Sequence, residues 1–165
     1  MLAPEKAAHY EQFVQNYDTV RHGEQWGGNG ADYYRALPYD DVSGRHSDVW
    51  RVRAVSFDAL LSNVVEPLSH ERERPLRILD AGAGNGWISY RLSLAGHALL
   101  AIDLRLDGDD GLGAYEHYGD DVCYVRAQAT FEQIPLLDDQ LDLVIFGGSI
   151  HYATSFEETL REALR

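Results

Sequence analysis

The sequence predicts an α/β fold, a doubly wound parallel sheet in three α/β/α layers, and two observations carry that prediction. Beyond Pro75, four short apolar runs alternate with helical or turn-rich segments: LRILD (76–80), HALLAID (97–103), VCYVRA (122–127) and LDLVIFG (141–147). Apolar runs of strand length without a polar face belong to strands covered on both sides, and helices between them impose parallel pairing through right-handed crossovers. The second observation is a glycine-rich run that follows the first strand directly and opens a helix. Open α/β sheets gather ligands at that position, outside the carboxyl ends of their strands.

The elements follow in order. Residues 1 to about 22 read as an amphipathic helix, because Tyr10, Phe13, Val14 and Tyr17 recur at spacings of three and four. Residues 23–47 hold Gly, Asn, Pro, Asp and Ser among aromatic residues and read as a loop or lid. A helix is expected from 47 to 65, capped by Ser47 or Asp48, with Trp50, Ala54, Phe57, Leu61 and Val64 forming its apolar stripe. Further helices are expected at 87–95, 111–119 and 155–164, the last capped by Ser155 or Thr154. The change of character near Pro75 divides the chain into N-terminal helices and lid loop (1–75) and a ligand-binding domain (76–165).

Composition narrows the function classes. With 165 residues, 45% hydrophobic and 25% charged, the chain suits one globular domain, and no run approaches the about 18 apolar residues a membrane span requires. The N-terminal MLAPEKAAHYEQF carries Glu and Gln where a secretion signal carries basic and then apolar residues, so a cytoplasmic location is expected. The single cysteine, Cys123, sits in an apolar run and reads as a buried, inert thiol. A formal charge of -13, from 27 Asp and Glu against 14 Lys and Arg, repels phosphate backbones and anionic lipid, which argues against nucleic acid and membrane partners. Arg72, Arg74 and Arg77 form a local basic cluster that reads as a solvated linker.

The glycine loop runs Asp80-Ala81-Gly82-Ala83-Gly84-Asn85-Gly86. Its glycines allow a tight turn and close approach of backbone to ligand, and the helix that follows offers free N–H groups. A dinucleotide fingerprint, GxGxxG, needs glycine at 87, where this chain has Trp87. Asp80 stands just before the loop, where a carboxylate repels a pyrophosphate but suits an ammonium or sulfonium cation. The second strand ends in Asp103, a carboxylate able to accept both ribose hydroxyl hydrogens, and Leu104 can lie against an adenine face.

In the order strand, acid, GxGxG loop, helix, strand, acid, the sequence resembles the class I S-adenosylmethionine-dependent methyltransferases, which have a Rossmann-like sheet. The resemblance implies S-adenosylmethionine as cofactor, held by Asp80, Gly82, Gly84, Gly86, Asp103 and Leu104. It extends over 122–152, where Thr130 stands at a position the family often fills with Asp to contact the adenine amino group. Thr130 can accept the same bond more weakly, and the Phe131 N–H can meet an adenine ring nitrogen. Gly147, with Gly148, offers close passage to the methionine moiety, or a plain strand-end turn.

His151 is the base candidate for the methyl acceptor, since an imidazole can take up a proton near neutral pH; a positional role competes with it, and the same holds for Tyr152. Trp26, Tyr33, Tyr34 and Tyr39 either close over the cofactor or pack on the core, and the sequence favours neither. Asp107, Asp109 and Asp110 resemble a calcium loop, but its twelfth position is Tyr118 instead of Glu, so the turn is expected to be solvated. The reaction implied is direct in-line methyl transfer, without a metal, to a small-molecule acceptor whose identity is open. A non-catalytic S-adenosylmethionine-binding module and an NAD-dependent oxidoreductase are the alternatives. Because the family usually continues beyond the fourth strand, the chain is expected to be a truncated form, or to self-associate or borrow a partner along the fourth-strand edge.

Overall fold

Strand β1 (Arg77–Ala81) is the centre of the sheet, pairing in parallel with β2 (Ala98–Asp103) on one side and β4 (Leu143–Ile145) on the other, while β3 (Val125–Gln128) flanks β2. The order is therefore β3-β2-β1-β4, with Asp80 level with Ala101 and Ile145, and Asp103 level with Gln128. This is the predicted α/β class. The computed structural model describes residues 4–27, 29–120 and 122–165, with the side chains of residues 4–8 left aside. Among the described residues no helix is long and apolar enough to cross a membrane.

Strand periodicity sorts the core into two layers. Ile78 and Ala101 face a large cluster built with Trp50, Phe57, Trp87 and Leu92, whereas Leu79, Ala81, Leu100 and Ile102 face a smaller one under Ile134. The helices are α1 (Pro4–Gly23), α2 (Ala31–Ala36), α3 (Ser47–Leu60), α4 (Glu66–Arg72), α5 (Trp87–Leu94) and α6 (Phe156–Ala163). Tyr33, Tyr34, Trp50 and Phe57 of the N-terminal segment share the large cluster with the sheet, so both parts of the chain contribute to one core.

Several boundaries differ from the sequence expectation, each for a physical reason. Within 23–47, expected to be loop, residues 31–36 form the short helix α2; burial of Tyr33 and Tyr34, not intrinsic propensity, holds it. The helix expected to end at 65 passes through a π-helical turn at Leu61–Val65 and continues as α4. The extra residue in that turn rotates the apolar face, so Val65 is fully buried and Val64, placed on the stripe by simple periodicity, is exposed. Neither Ser47 nor Asp48 caps α3: Ser47 Oγ donates to Asp41 Oδ2 at 3.3 Å, and Asp48 pairs with Arg51 on the surface. Ser155 does cap α6, accepting from the Glu158 N–H at 3.2 Å. Residues 112–117 form a 3₁₀ helix within the expected helix.

Cys123 corrects an expectation outright, because it is exposed. The run Val122-Cys123-Tyr124 is irregular, with Val122 and Tyr124 turned inward and Cys123 outward between them. The basic cluster before β1 is partly structural: Arg74 Nη2 lies 2.8 Å from Asp142 Oδ1, and the Arg77 N–H donates to Asp142 Oδ2 at 2.8 Å, tying the entry of β1 to that of β4. At the β4 edge, Leu143 and Val144 are half-buried and pair with β1 alone among the described residues.

Trp50 is 1% exposed and packs at right angles against Trp87, the first residue of α5, with ring centroids 5.8 Å apart. Trp50→Ala is expected to lower unfolding stability by about 3–5 kcal/mol, measured by denaturant titration. A loss under about 1 kcal/mol would mean that the N-terminal helices are not integral to the core.

Candidate functional site

At the carboxyl end of β1 the chain turns sharply enough that the N–H groups of Gly82 and Ala83 both donate to the Ile102 carbonyl of β2, at 2.9 and 3.0 Å. Gly82 achieves this with φ 73°, and a Cβ there would strike the Ser149 side chain, so both conformation and space demand glycine. Ser149 Oγ in turn donates to the Ala81 carbonyl at 2.5 Å, holding the loop after β4 against the same turn. Gly84 N–H donates to Asp103 Oδ2 at 2.8 Å, and Asp103 Oδ1 accepts from the Arg105 N–H at 2.9 Å. These contacts fix the Asp103 carboxylate beside the glycine loop with lone pairs to spare. Burial raises its pKa, against the lowering effect of those backbone N–H bonds.

Above this floor lies a cavity of about 290 Å³. Gly82, Gly84, Asp103 and Leu104 line its base, Thr130 and Phe131 one wall, and Gly147 with Ser149 the other. Thr130 is buried, and its Oγ1, close to Tyr10 and Glu132, makes no well-formed hydrogen bond. The cover is α1, which contributes Tyr10, Phe13 and Tyr17. His151 is exposed at the rim on the short 3₁₀ turn after β4, its ring 3.8 Å from that of Tyr152. Tyr152 completes the closure against Phe13 and Tyr17, with ring centroids 5.2 and 5.5 Å away.

Polar contacts toward both ends pin α1 over the cavity. Near its start, Tyr10 Oη donates to Glu132 Oε2 at 2.6 Å, while Thr154 Oγ1 donates to Glu132 Oε1 at 2.6 Å. Burial first, then the Glu132 carboxylate, pushes the Tyr10 pKa up to about 12, so its hydroxyl keeps the proton it donates. Near the end of α1, Arg21 Nε lies 2.5 Å from Asp110 Oδ2, and Arg105 reaches Asp18 and Asp110 at 2.8 and 3.0 Å. Asp110, expected to be solvated, is therefore buried and doubly paired; the side chain of Asp107 is partly exposed and pairs with Arg105 at 2.9 Å.

Most of the predicted residues converge on this cavity, but two do not line it. Asp80 corrects the expectation of a carboxylate facing the ligand. It shares its strand face with Ile78 and points under α5, fully buried, where Ser89 Oγ donates to Oδ2 at 2.8 Å and Oδ1 has no partner. Desolvation raises its pKa to about 6, with the Ser89 bonds opposing and the Asp103 charge adding to the rise. Gly86 caps α5 in the left-handed conformation and abuts the Tyr124 hydroxyl rather than the cavity. Of the aromatic residues in 23–47, Tyr33 and Tyr34 are core, Trp26 stacks on His46 at 3.7 Å, and exposed Tyr39 donates to Asp58 at 2.8 Å. None of the four lines the cavity, which leaves the packing alternative for Tyr33 and Tyr34 and gives the cover to α1.

On sequence, Tyr10, Phe13 and Tyr17 mark one face of an amphipathic helix without being assigned to the cavity they line, and Arg21 and Arg53, which line it too, are not singled out. The signal for Arg21 was present: it follows Tyr17 by four residues on the same helical face. Among the described residues no cluster of three His, Cys, Asp or Glu side chains could hold a metal ion.

A parallel sheet with a glycine loop at the carboxyl end of β1 and an acid at the end of β2 defines a Rossmann-like nucleotide-type site. The chain belongs to the methyltransferase-domain family of class I S-adenosylmethionine-dependent enzymes: the family model described as "Methyltransferase domain" matches residues 79–165, more than half of its length. The chain is 28% identical to the ubiquinone/menaquinone biosynthesis C-methyltransferase UbiE of Methylobacterium nodulans, over 80% of this chain and 58% of that protein. It is 34% identical to the malonyl-[acyl-carrier protein] O-methyltransferase of Erwinia pyrifoliae, over 58% of this chain and 36% of that one. It thus spans only part of the length of the curated relatives it matches. The crystal structure of monomeric WbdD shares the fold, with a TM-score of 0.52 and 21% identity over 67% of this chain and 29% of that chain.

The buried Asp80 makes a pH prediction. Its folded pKa of about 6 exceeds the ordinary 3.8, so the native state holds this proton more tightly than the unfolded chain does. The associated stability is fully present below about pH 4 and is lost as pH rises through about 6. Asp80→Asn is expected to remove this fall, so urea titrations should show the variant gaining on the wild type between pH about 4 and about 7. Parallel pH dependences would show that Asp80 titrates normally.

Proposed function

We propose that the cavity binds S-adenosylmethionine and that the protein transfers its methyl group to a small-molecule acceptor. The observation that carries this is the meeting, on one cavity, of the Asp103 carboxylate held beside the glycine loop with Leu104, Thr130 and Phe131. These groups fit two of the ligand's polar regions: Asp103 accepts from ribose hydroxyls, and Thr130 with the Phe131 N–H stands at the adenine edge. Leu104 offers an apolar face to the ring, and Gly82, Gly84 and Gly147 leave backbone open to the amino-acid end. The group supplies an electrophilic methyl on a sulfonium sulfur.

The chain's own residues then align and dehydrate. Phe13, Tyr17 and Tyr152 cluster against one another on the cavity and would shed water from a bound ligand beneath them, which favours an in-line approach over hydrolysis. His151 stands at the rim, where an acceptor enters, and is positioned to take a proton from an acceptor that must lose one. The charge of -13 disfavours a nucleic-acid acceptor.

Two substitutions separate binding from turnover. Charge-assisted hydrogen bonds contribute about 1.5–3 kcal/mol each, so Asp103→Ala is expected to weaken S-adenosylhomocysteine binding about tenfold to a hundredfold in calorimetry. An unchanged affinity in the folded variant would place the ribose elsewhere. His151→Ala, by contrast, is expected to keep that affinity within about threefold while lowering methyl transfer to an acceptor found by screening. Loss of cofactor binding instead would make His151 a cofactor contact.

A further inference from the structure

Arg53 lies on α3 three residues after Trp50 and four before Phe57, so helical spacing turns it toward the same buried side as those two rings. It is half-buried and lines the cavity. Its guanidinium rests on aromatic faces rather than on carboxylates, 4.5 Å from the ring centre of Trp50 and 5.4 Å from that of Trp26. Among the described residues it makes no ion pair and no hydrogen bond. Asp110, whose field reaches it, is already shared between Arg21 Nε at 2.5 Å and Arg105 Nη1 at 3.0 Å. Burial, and then the neighbouring Arg21 charge, lowers the Arg53 pKa from its ordinary value, the mark of a cation held without its counter-ion.

A partly desolvated guanidinium with five unused donors in a rigid fork selects a planar anion that can take two parallel hydrogen bonds. Stacking on Trp50 holds the fork in place, so little freedom is lost when the anion arrives. A monoanion is preferred over a phosphate dianion, because the Asp103 carboxylate lines the same cavity and would repel a second charge.

We propose that Arg53 is the carboxylate-binding group of this cavity. The inference rests on the adenosyl-ligand function above, since the carboxylate belongs either to the amino-acid end of that ligand or to the acceptor. The test is calorimetry on the wild type, Arg53→Met and Arg53→Lys with three probes. S-adenosylhomocysteine carries the amino-acid carboxylate, methylthioadenosine carries the same adenosyl thioether without it, and benzoate, titrated into protein loaded with S-adenosylhomocysteine, stands for an acceptor acid.

If the carboxylate is the ligand's own, Arg53→Met should weaken S-adenosylhomocysteine at least about tenfold and leave methylthioadenosine unchanged, with Arg53→Lys between wild type and Met. If it is the acceptor's, S-adenosylhomocysteine should bind all three proteins alike, and benzoate should bind the wild type and fail on Arg53→Met. The proposal is overturned if neither S-adenosylhomocysteine nor benzoate binding depends on Arg53. Equal loss of S-adenosylhomocysteine and methylthioadenosine in both variants overturns it too, since Arg53 would then only support the cavity wall. A wild type that binds neither adenosyl probe contradicts the underlying function itself, a result separate from any change at Arg53.

Discussion

The hydrogen bonds that fold the glycine loop back onto β2 are the constraint on which the site depends. One carbonyl, that of Ile102, receives the N–H groups of Gly82 and Ala83, and the next residue, Asp103, receives that of Gly84. Parallel pairing of β1 with β2 sets the register, Ala81 opposite Ile102, that makes this closure possible. The loop and the acid are thus a single unit: a shift of either strand would withdraw the carboxylate from the cavity and leave loop N–H groups unpaired at a cost of about 1–3 kcal/mol each.

The cover is built on different physics. Helix α1 offers the cavity an aromatic face, and its placement comes from paired charges and hydroxyls at either end, Tyr10 with Glu132 and Arg21 with Asp110. Few of its residues are buried to the degree of the sheet core, where Leu79 and Ile102 are wholly enclosed. Elements held by a handful of polar contacts open at lower free energy than the core does, so α1 is expected to open before the sheet does.

Much of this was legible in the sequence because it rests on local rules. Continuous apolar runs gave the parallel sheet, GxGxG at a strand end gave the loop, and Asp103 at the next strand end gave the cavity acid. Asp80 was misplaced although strand alternation held the answer: two residues after Ile78, it must share that residue's inward face. Val64 was misplaced because a π turn, invisible to a 3.6-residue period, lies beneath it. Arg53 was passed over because an arginine within a helix reads as surface, and its aromatic seat is assembled from Trp26 and Trp50, distant in the chain. The short helix α2 and the pairing of Asp110 likewise depend on tertiary contacts that no local pattern encodes.

Trp87, where a dinucleotide fingerprint requires glycine, is largely buried between Trp50 and Phe57, so the tight helix approach that a pyrophosphate site needs is filled by an indole. The ligand class turns on this exchange. Calorimetric titration of one protein preparation with S-adenosylhomocysteine and, separately, with NADH decides it. Saturable binding of S-adenosylhomocysteine with negligible uptake of NADH is the expected result, and tighter binding of NADH would contradict the assignment of the cavity to an adenosyl-sulfur ligand.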